Sequence, residues 1–392
     1  MTDMTETNTT NAQGALSGIT VLDLSRLLPG PYCSMILADH GARVIAIEDK
    51  KQYAADGLFL PTVQRNKAHM SLDLKSDVGR EIFFRMVRET DVMIEGFRPG
   101  VVRRLGVDYD SVRAVKPDII YCSITGYGQS GPARDRVGHD VNYLGDAGVL
   151  DLIGRPGGPP VIPGVQMADI AGGGLNAAIG ILLALFARQR SGQGQYIDIS
   201  MADGMLAFLP VAQYWQALTG QAPLRGDNML SHRYACYNTY ETADGRYMAV
   251  GALENRFWRG LCAALDLAQY ADLQYDERRR EEIIAAFRAK FLQKPMAAWD
   301  DALGRLELCV SGVRTMDEAL ASSLFRQREM VVAVPRPDGT TETALGVPVK
   351  LSQTPGSIRS PAVSFGESTR RVLAEFGYTA DQIETFTRQG VI

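Results

Sequence analysis

The chain has 392 residues, of which 46% are hydrophobic, 22% charged and 8% aromatic. That is ordinary globular composition, long enough for two or three domains, and it excludes collagen-like, disordered and disulfide-scaffold classes. With 41 Lys and Arg against 45 Asp and Glu, the net charge of −4 argues against nucleic acid or an acidic membrane surface as partner. Five scattered cysteines offer no CxxC or zinc spacing and suit a reducing cytoplasm, so the expected location is cytoplasmic and no metal site is expected.

Residues 1–17 are rich in Thr, Asn and small side chains and read as a disordered tail, with neither the basic nor the apolar region of a signal peptide. Short β-rich runs follow at 19–24, 43–47, 70–74, 91–95, 119–124 and 196–200. Helical spacing lies between them, at 33–40, 77–89 and 99–105. This alternation predicts βαβ units and a Rossmann-like parallel sheet in a large α/β domain over 18–225. A long helix is expected over 170–190 with Asp169 as its N-cap, and another over 201–218. The most apolar stretch, 175–187, is too short to span a bilayer.

From about Gly220 the character changes. Runs at 237–240 and 247–251 flank Asp244-Gly245 and predict a hairpin. A charged helix over 276–293 follows, so 226–330 reads as a smaller α+β domain. Residues 335–339 read as a loop, and helices over 368–376 and 379–390 as a segment, 331–392, returning to the large domain.

Several motifs carry chemistry. Gly126, Gly128 and Gly131 form a literal G-x-G-x-x-G after a strand, but Pro132 and Gly138 leave no room for the helix a dinucleotide needs. A turn built for close backbone approach is the better reading. His139 sits between Gly138 and Asp140, where loops often place functional imidazoles. Asp169 precedes Gly172-Gly173-Gly174; three glycines so early in a helix suggest close approach of another body, or N–H groups free to hold a negative oxygen. Glu254, after a strand, reads alone as a surface acid. Arg26, Arg98 and the Arg65-Asn66-Lys67 cluster follow strands, where parallel sheets bind phosphates.

Ser25 to Pro31 (SRLLPGP), Met35 to Gly41 (MILADHG), Glu95 to Gly100 (EGFRPG), Thr125 to Pro132 (TGYGQSGP) and Arg188 to Asp198 (RQRSGQGQYID) together resemble the family III CoA transferases. Within that family the motifs around His139-Asp140, Asp169 and Glu254 are closest to the alpha-methylacyl-CoA racemases. The resemblance implies that family's fold, an interlocked homodimer and an acyl-CoA thioester as substrate, with no prosthetic group. It implies catalytic roles for His139, Asp169, Glu254 and Asp140: His139, supported by Glu254 from the other subunit, on one face of the α-carbon and Asp169 on the other. It also implies CoA contacts from Arg26, Asn66, Lys67, Arg98, Tyr127 and Gly128. Two activities stay open on these residues: racemisation of a 2-methylacyl-CoA through an enolate, and CoA transfer between carboxylic acids through an aspartyl-CoA thioester on Asp169.

Overall fold

The structure, a computed structural model, describes residues 14–392. The apolar runs do what their composition dictates. Strands β1 (Thr20–Asp23), β2 (Arg43–Glu48), β3 (Lys67–Ser71), β4 (Val92–Glu95), β5 (Ile120–Thr125) and β6 (Gln195–Ser200) pair entirely in parallel, and all but the edge strand β6 are mostly buried. Burial on both faces is why β1, β2, β4 and β5 are largely apolar rather than alternating. The sheet order is β3-β2-β1-β4-β5-β6. Chain order therefore reverses between β1 and β4, which leaves a crevice beyond their carboxyl ends.

The chain divides into two compact units. The first holds residues 14–147, Gly164–Phe208 and Ser323–Ile392. Its core joins Leu22, Ile45 and Met93 of the sheet to Leu373, Phe376 and Ile392 near the carboxyl terminus. The terminal helices Thr369–Glu375 and Ala380–Arg388 thus belong to this unit, and the Asp73 N–H donates to the Val391 carbonyl at 2.8 Å. The second unit comprises Gly148–Pro163 and Leu209–Ser322. Its sheet is antiparallel, with β7 (Tyr237–Glu241) and β8 (Tyr247–Gly251) joined by the expected Asp-Gly turn and β9 (Val310–Gly312) added beyond β8. Gly245 takes a φ of 71°, the reason glycine follows Asp244 there. Trp258 stacks on Phe287 at 5.0 Å in this unit's core.

Several expectations are corrected. Most of the expected tail lies outside the described residues, but its last part, Gly14 to Ser17, belongs to an ordered turn in which the Leu16 N–H donates to the His40 carbonyl. The helix expected over 201–218 is two helices, Met201–Leu206 and Pro210–Thr219, because a proline cannot continue the first. Residues 335–339 are no free loop; they turn a hairpin between β10 (Val331–Pro335) and β11 (Thr341–Leu345). The second unit starts before residue 226 and draws in a segment from inside the first. The apolar stretch is part of a helical run, Ala168–Ser191, that is long and apolar enough to cross a membrane by length and composition. Its buried side carries Ala177, Ile181 and Ala184, while Leu175, Ile179, Leu182, Leu183 and Phe186 form an exposed apolar stripe.

Leu373 is fully buried among sheet and helix residues. Leu373→Ala is expected to destabilise the first unit by about 2–5 kcal/mol through cavity formation. Urea denaturation followed by fluorescence checks this; an unchanged midpoint would show that the carboxyl-terminal helices are not part of that core.

Candidate active site

A cleft of about 820 Å³ opens at the β1/β4 reversal. Its walls come from the segments that follow three strands: Ser25 to Leu27 after β1, Gly96 to Pro99 after β4, and Gly126 and Tyr127 after β5. Arg26, Arg98, Arg134 and Arg136 line it together with His139, and among the described residues no carboxylate does. Glu48 pairs with Arg26, and Asp146 with Arg136 at 3.1 Å, from outside the cleft, while Arg98 and Arg134 add to the positive surface turned toward an anionic ligand. Another cavity, about 520 Å³, lies within the second unit. There Arg280 is neutralised by Asp227 at 2.8 Å, and none of the expected site residues lines it.

The G-x-G-x-x-G segment is the tight turn expected, and the bodies that approach it are now clear. A Cβ on Gly126 would sit 2.5 Å from the Tyr143 ring, so only glycine fits. Gly128 has a φ of 81° and faces Asp198, whose carboxylate accepts the Gln129 N–H at 2.9 Å. No helix begins until Asp140–Asp146. Tyr127 lines the cleft, donates its hydroxyl to Asp146 at 2.6 Å and lies under the Arg136 guanidinium.

His139 caps that short helix. Its N–H donates to Asn142 Oδ1 at 2.9 Å, which fixes the backbone and leaves the imidazole exposed toward the cleft. Asp169 is not the N-cap expected. It is the second residue of a π-helical segment, Ala168–Leu175, which continues as the α-helix Asn176–Ser191. The cap is Asp140, whose Oδ1 accepts the N–H of Ala168 at 2.6 Å and of Asp169 at 3.0 Å. These are first-turn donors with no partner in the helix. The Asp169 carboxyl is half-buried, and burial first, the Asp140 charge second, push its pKa up to about 6; His139 acts in the opposite direction. The three side chains therefore lie within electrostatic reach of one another. Asp169 does not itself line the cleft. It raises the neighbouring Tyr143 hydroxyl, which burial above all drives up to about 12, and the Tyr143 ring does line it.

Other expectations fall differently. Gly172, Gly173 and Gly174 are buried against Met201, Pro29 and Tyr32, where a Cβ would come within 2.7, 2.8 and 2.9 Å. Close helix packing explains them. Lys67 is fully buried, donating to the Pro31 carbonyl at 2.7 Å, and burial brings its pKa down to about 8 against the pull of Asp23. Asn66, at a φ of 59°, clasps Asp39 and the backbone of Ser357, Arg359 and Ser360. Neither lines the cleft, because internal partners satisfy both. Arg26 and Arg98 do line it, while Gly128 shapes the turn. Glu254 is exposed at the start of the helix Asn255–Ala264 in the second unit. Arg134 and Arg136 went unnoticed in the sequence, although both stand within six residues of His139.

Comparison with known proteins identifies the family and the fold. The model for CoA-transferase family III matches residues 16–369. The chain is 36% identical over 381 residues to the alpha-methylacyl-CoA racemase of Homo sapiens, covering 96% of this chain and 97% of that protein. It is 33% identical over 347 residues to the acetyl-CoA:oxalate CoA-transferase of Acetobacter aceti, covering 84% and 88%. The crystal structure of a CAIB/BAIF family protein from Brucella suis superposes with a TM-score of 0.81 at 28% identity, covering 93% of this chain and all of that one. An arginine-lined crevice at the sheet's reversal point, the match over most of the chain and the shared fold lead to one conclusion: this chain belongs to CoA-transferase family III.

Proposed function

We propose that the protein racemises or epimerises the α-carbon of a 2-methylacyl-CoA. The observation that carries this reading is the pairing of an exposed imidazole, His139, with a half-buried carboxyl, Asp169, lifted to about 6, beside a cleft lined by four arginines. The arginines suit the phosphates of CoA. One of the two groups takes the α-proton, the electron pair moves into the thioester carbonyl as an enolate, and the other group returns a proton to the opposite face. Each must serve as acid in one direction and base in the other, which favours groups that titrate near neutrality. Neither a metal nor a redox group takes part. Glu254 of the partner subunit would orient His139. The exposed stripe Leu175, Ile179, Leu182, Leu183 and Phe186 gives a homodimer an apolar face to bury.

The second reading is CoA transfer, favoured by the similarity to the Acetobacter aceti enzyme. There Asp169 attacks the acyl-CoA carbonyl and passes through a mixed anhydride to an aspartyl-CoA thioester. A carboxyl at about 6 is mostly ionised at pH 7, so its raised pKa serves this attack as well as it serves proton abstraction.

Incubation of an (S)-2-methylacyl-CoA in deuterated water should place deuterium at the α-carbon. His139→Ala and Asp169→Asn should each slow that exchange by about 10²–10⁴-fold. No exchange across a panel of branched thioesters, with an aspartyl adduct on the Asp169 peptide trapped by hydroxylamine, would replace this reading with the second. Since Asp169 must be ionised to act as base, kcat/KM in that direction should fall as pH drops through about 6. Asp140→Asn keeps an oxygen for the two N–H groups but removes a charge, so this acidic limb should move to lower pH; a limb that stays put would detach it from Asp169. Light scattering should give twice the 42.8 kDa chain mass, and a monomer would exclude the role given to Glu254.

A further inference from the structure

Glu48 closes β2, the place from which an acidic side chain commonly reaches the ribose hydroxyls of a nucleotide in sheets of this order. Here its carboxylate is only 8% exposed and is engaged on both sides. One oxygen accepts from Arg26 Nε, and the other lies 3.6 Å from His69 Nε2. His69 is 2% exposed, and its Nδ1 accepts the Gly366 N–H at 2.9 Å. That bond assigns the imidazole proton to Nε2, facing Glu48. Phe59 stands edge-on to the imidazole at 5.1 Å and Phe365 lies tilted at 4.9 Å, so the ring is held in place.

Although Glu48 and Arg26 together line a small cavity of about 240 Å³, an acid with both oxygens engaged in this way is a poor partner for sugar hydroxyls. What it presents to the cleft is Arg26, with Nη2 3.4 Å from the Leu58 carbonyl. Related sheets use an arginine near this place to accommodate a phosphate on the ribose. CoA carries such a group, a 3′-phosphate, and its oxygens would displace the long Leu58 contact with charge-assisted bonds. We infer that Arg26 binds the ribose 3′-phosphate of the CoA thioester, and that Glu48 and His69 are positioning residues that aim it. The inference rests on the acyl-CoA reading of the cleft.

Calorimetric titration of the full chain with CoA and with dephospho-CoA tests it. The unsubstituted protein should bind CoA at least about tenfold more tightly, the worth of one or two hydrogen bonds to a charged group. In Arg26→Met the ratio should collapse toward one. His69→Ala should reduce it several-fold, and His69→Gln, able to bond both Gly366 and Glu48, should restore it. A general structural defect would weaken both ligands alike and leave the ratio standing. An undiminished ratio in Arg26→Met, or equal binding of the two ligands by the unsubstituted protein, overturns the inference while leaving the acyl-CoA reading intact. Failure of the unsubstituted protein to bind either ligand overturns both.

Discussion

A single carboxylate joins the two halves of the candidate site. Asp140 follows His139 in the chain and accepts the N–H groups of Ala168 and Asp169, so it fixes where one functional side chain stands relative to the other. Without that acceptor, two first-turn donors would lie partly buried and unpaired, at a cost of about 1–3 kcal/mol each. The same negative charge helps to keep a proton on Asp169. A serine cap would supply the geometry but not the field. Burial is the larger cause of the raised pKa, so Asp140 adds to an environment that the surrounding helices create.

Those helices explain the glycines. Gly172 meets the backbone of Met201, and Gly204 in turn meets Gly172, at distances where a Cβ would clash. The segment that carries Asp169 is thereby wedged between Pro29–Asp39 and Met201–Leu206, and its wider π-helical turn is held by packing rather than by local preference. Rigid seating suits the role proposed for Asp169, meeting one carbon at a fixed angle, since small misplacements are costly in rate.

The sheet was legible in the sequence because most of its strands are buried on both faces and read as short apolar runs such as ITVLDL and IIYCSI. The crevice followed from the βαβ alternation. His139 and Asp169, the pair the proposed reaction uses, stand out in the sequence through their glycine neighbours and the family motifs. What stayed hidden depends on contacts between distant segments. A cap supplied by Asp140 to a helix starting at residue 168 leaves no local pattern, whereas Asp169 imitates one. Asn66 and Lys67 look like phosphate ligands because they are polar and border a strand. Only the fold shows that Asp39 and the 357–360 backbone claim one and the Pro31 carbonyl the other. Glu48 and His69 lie inside strand patterns that give no reason to single them out.

Under the proposed racemisation, the energetic demand of exchanging a proton across a stereocentre bears on why this acid is half-buried. The two epimers of a simple 2-methylacyl thioester are nearly equal in energy, so the forward and reverse reactions need comparable rates. Each catalytic group then alternates as donor and acceptor, and the pair works best when their proton affinities are close. A free aspartate, near 3.9, would hold a returning proton too weakly. Bringing Asp169 to about 6 lets it both take and return one. A deeper site would overshoot, leaving the carboxyl protonated at working pH. An exposed one would leave it a poor base. Partial burial beside one like charge lies between these limits, and the wedge of glycine-packed helices holds it there.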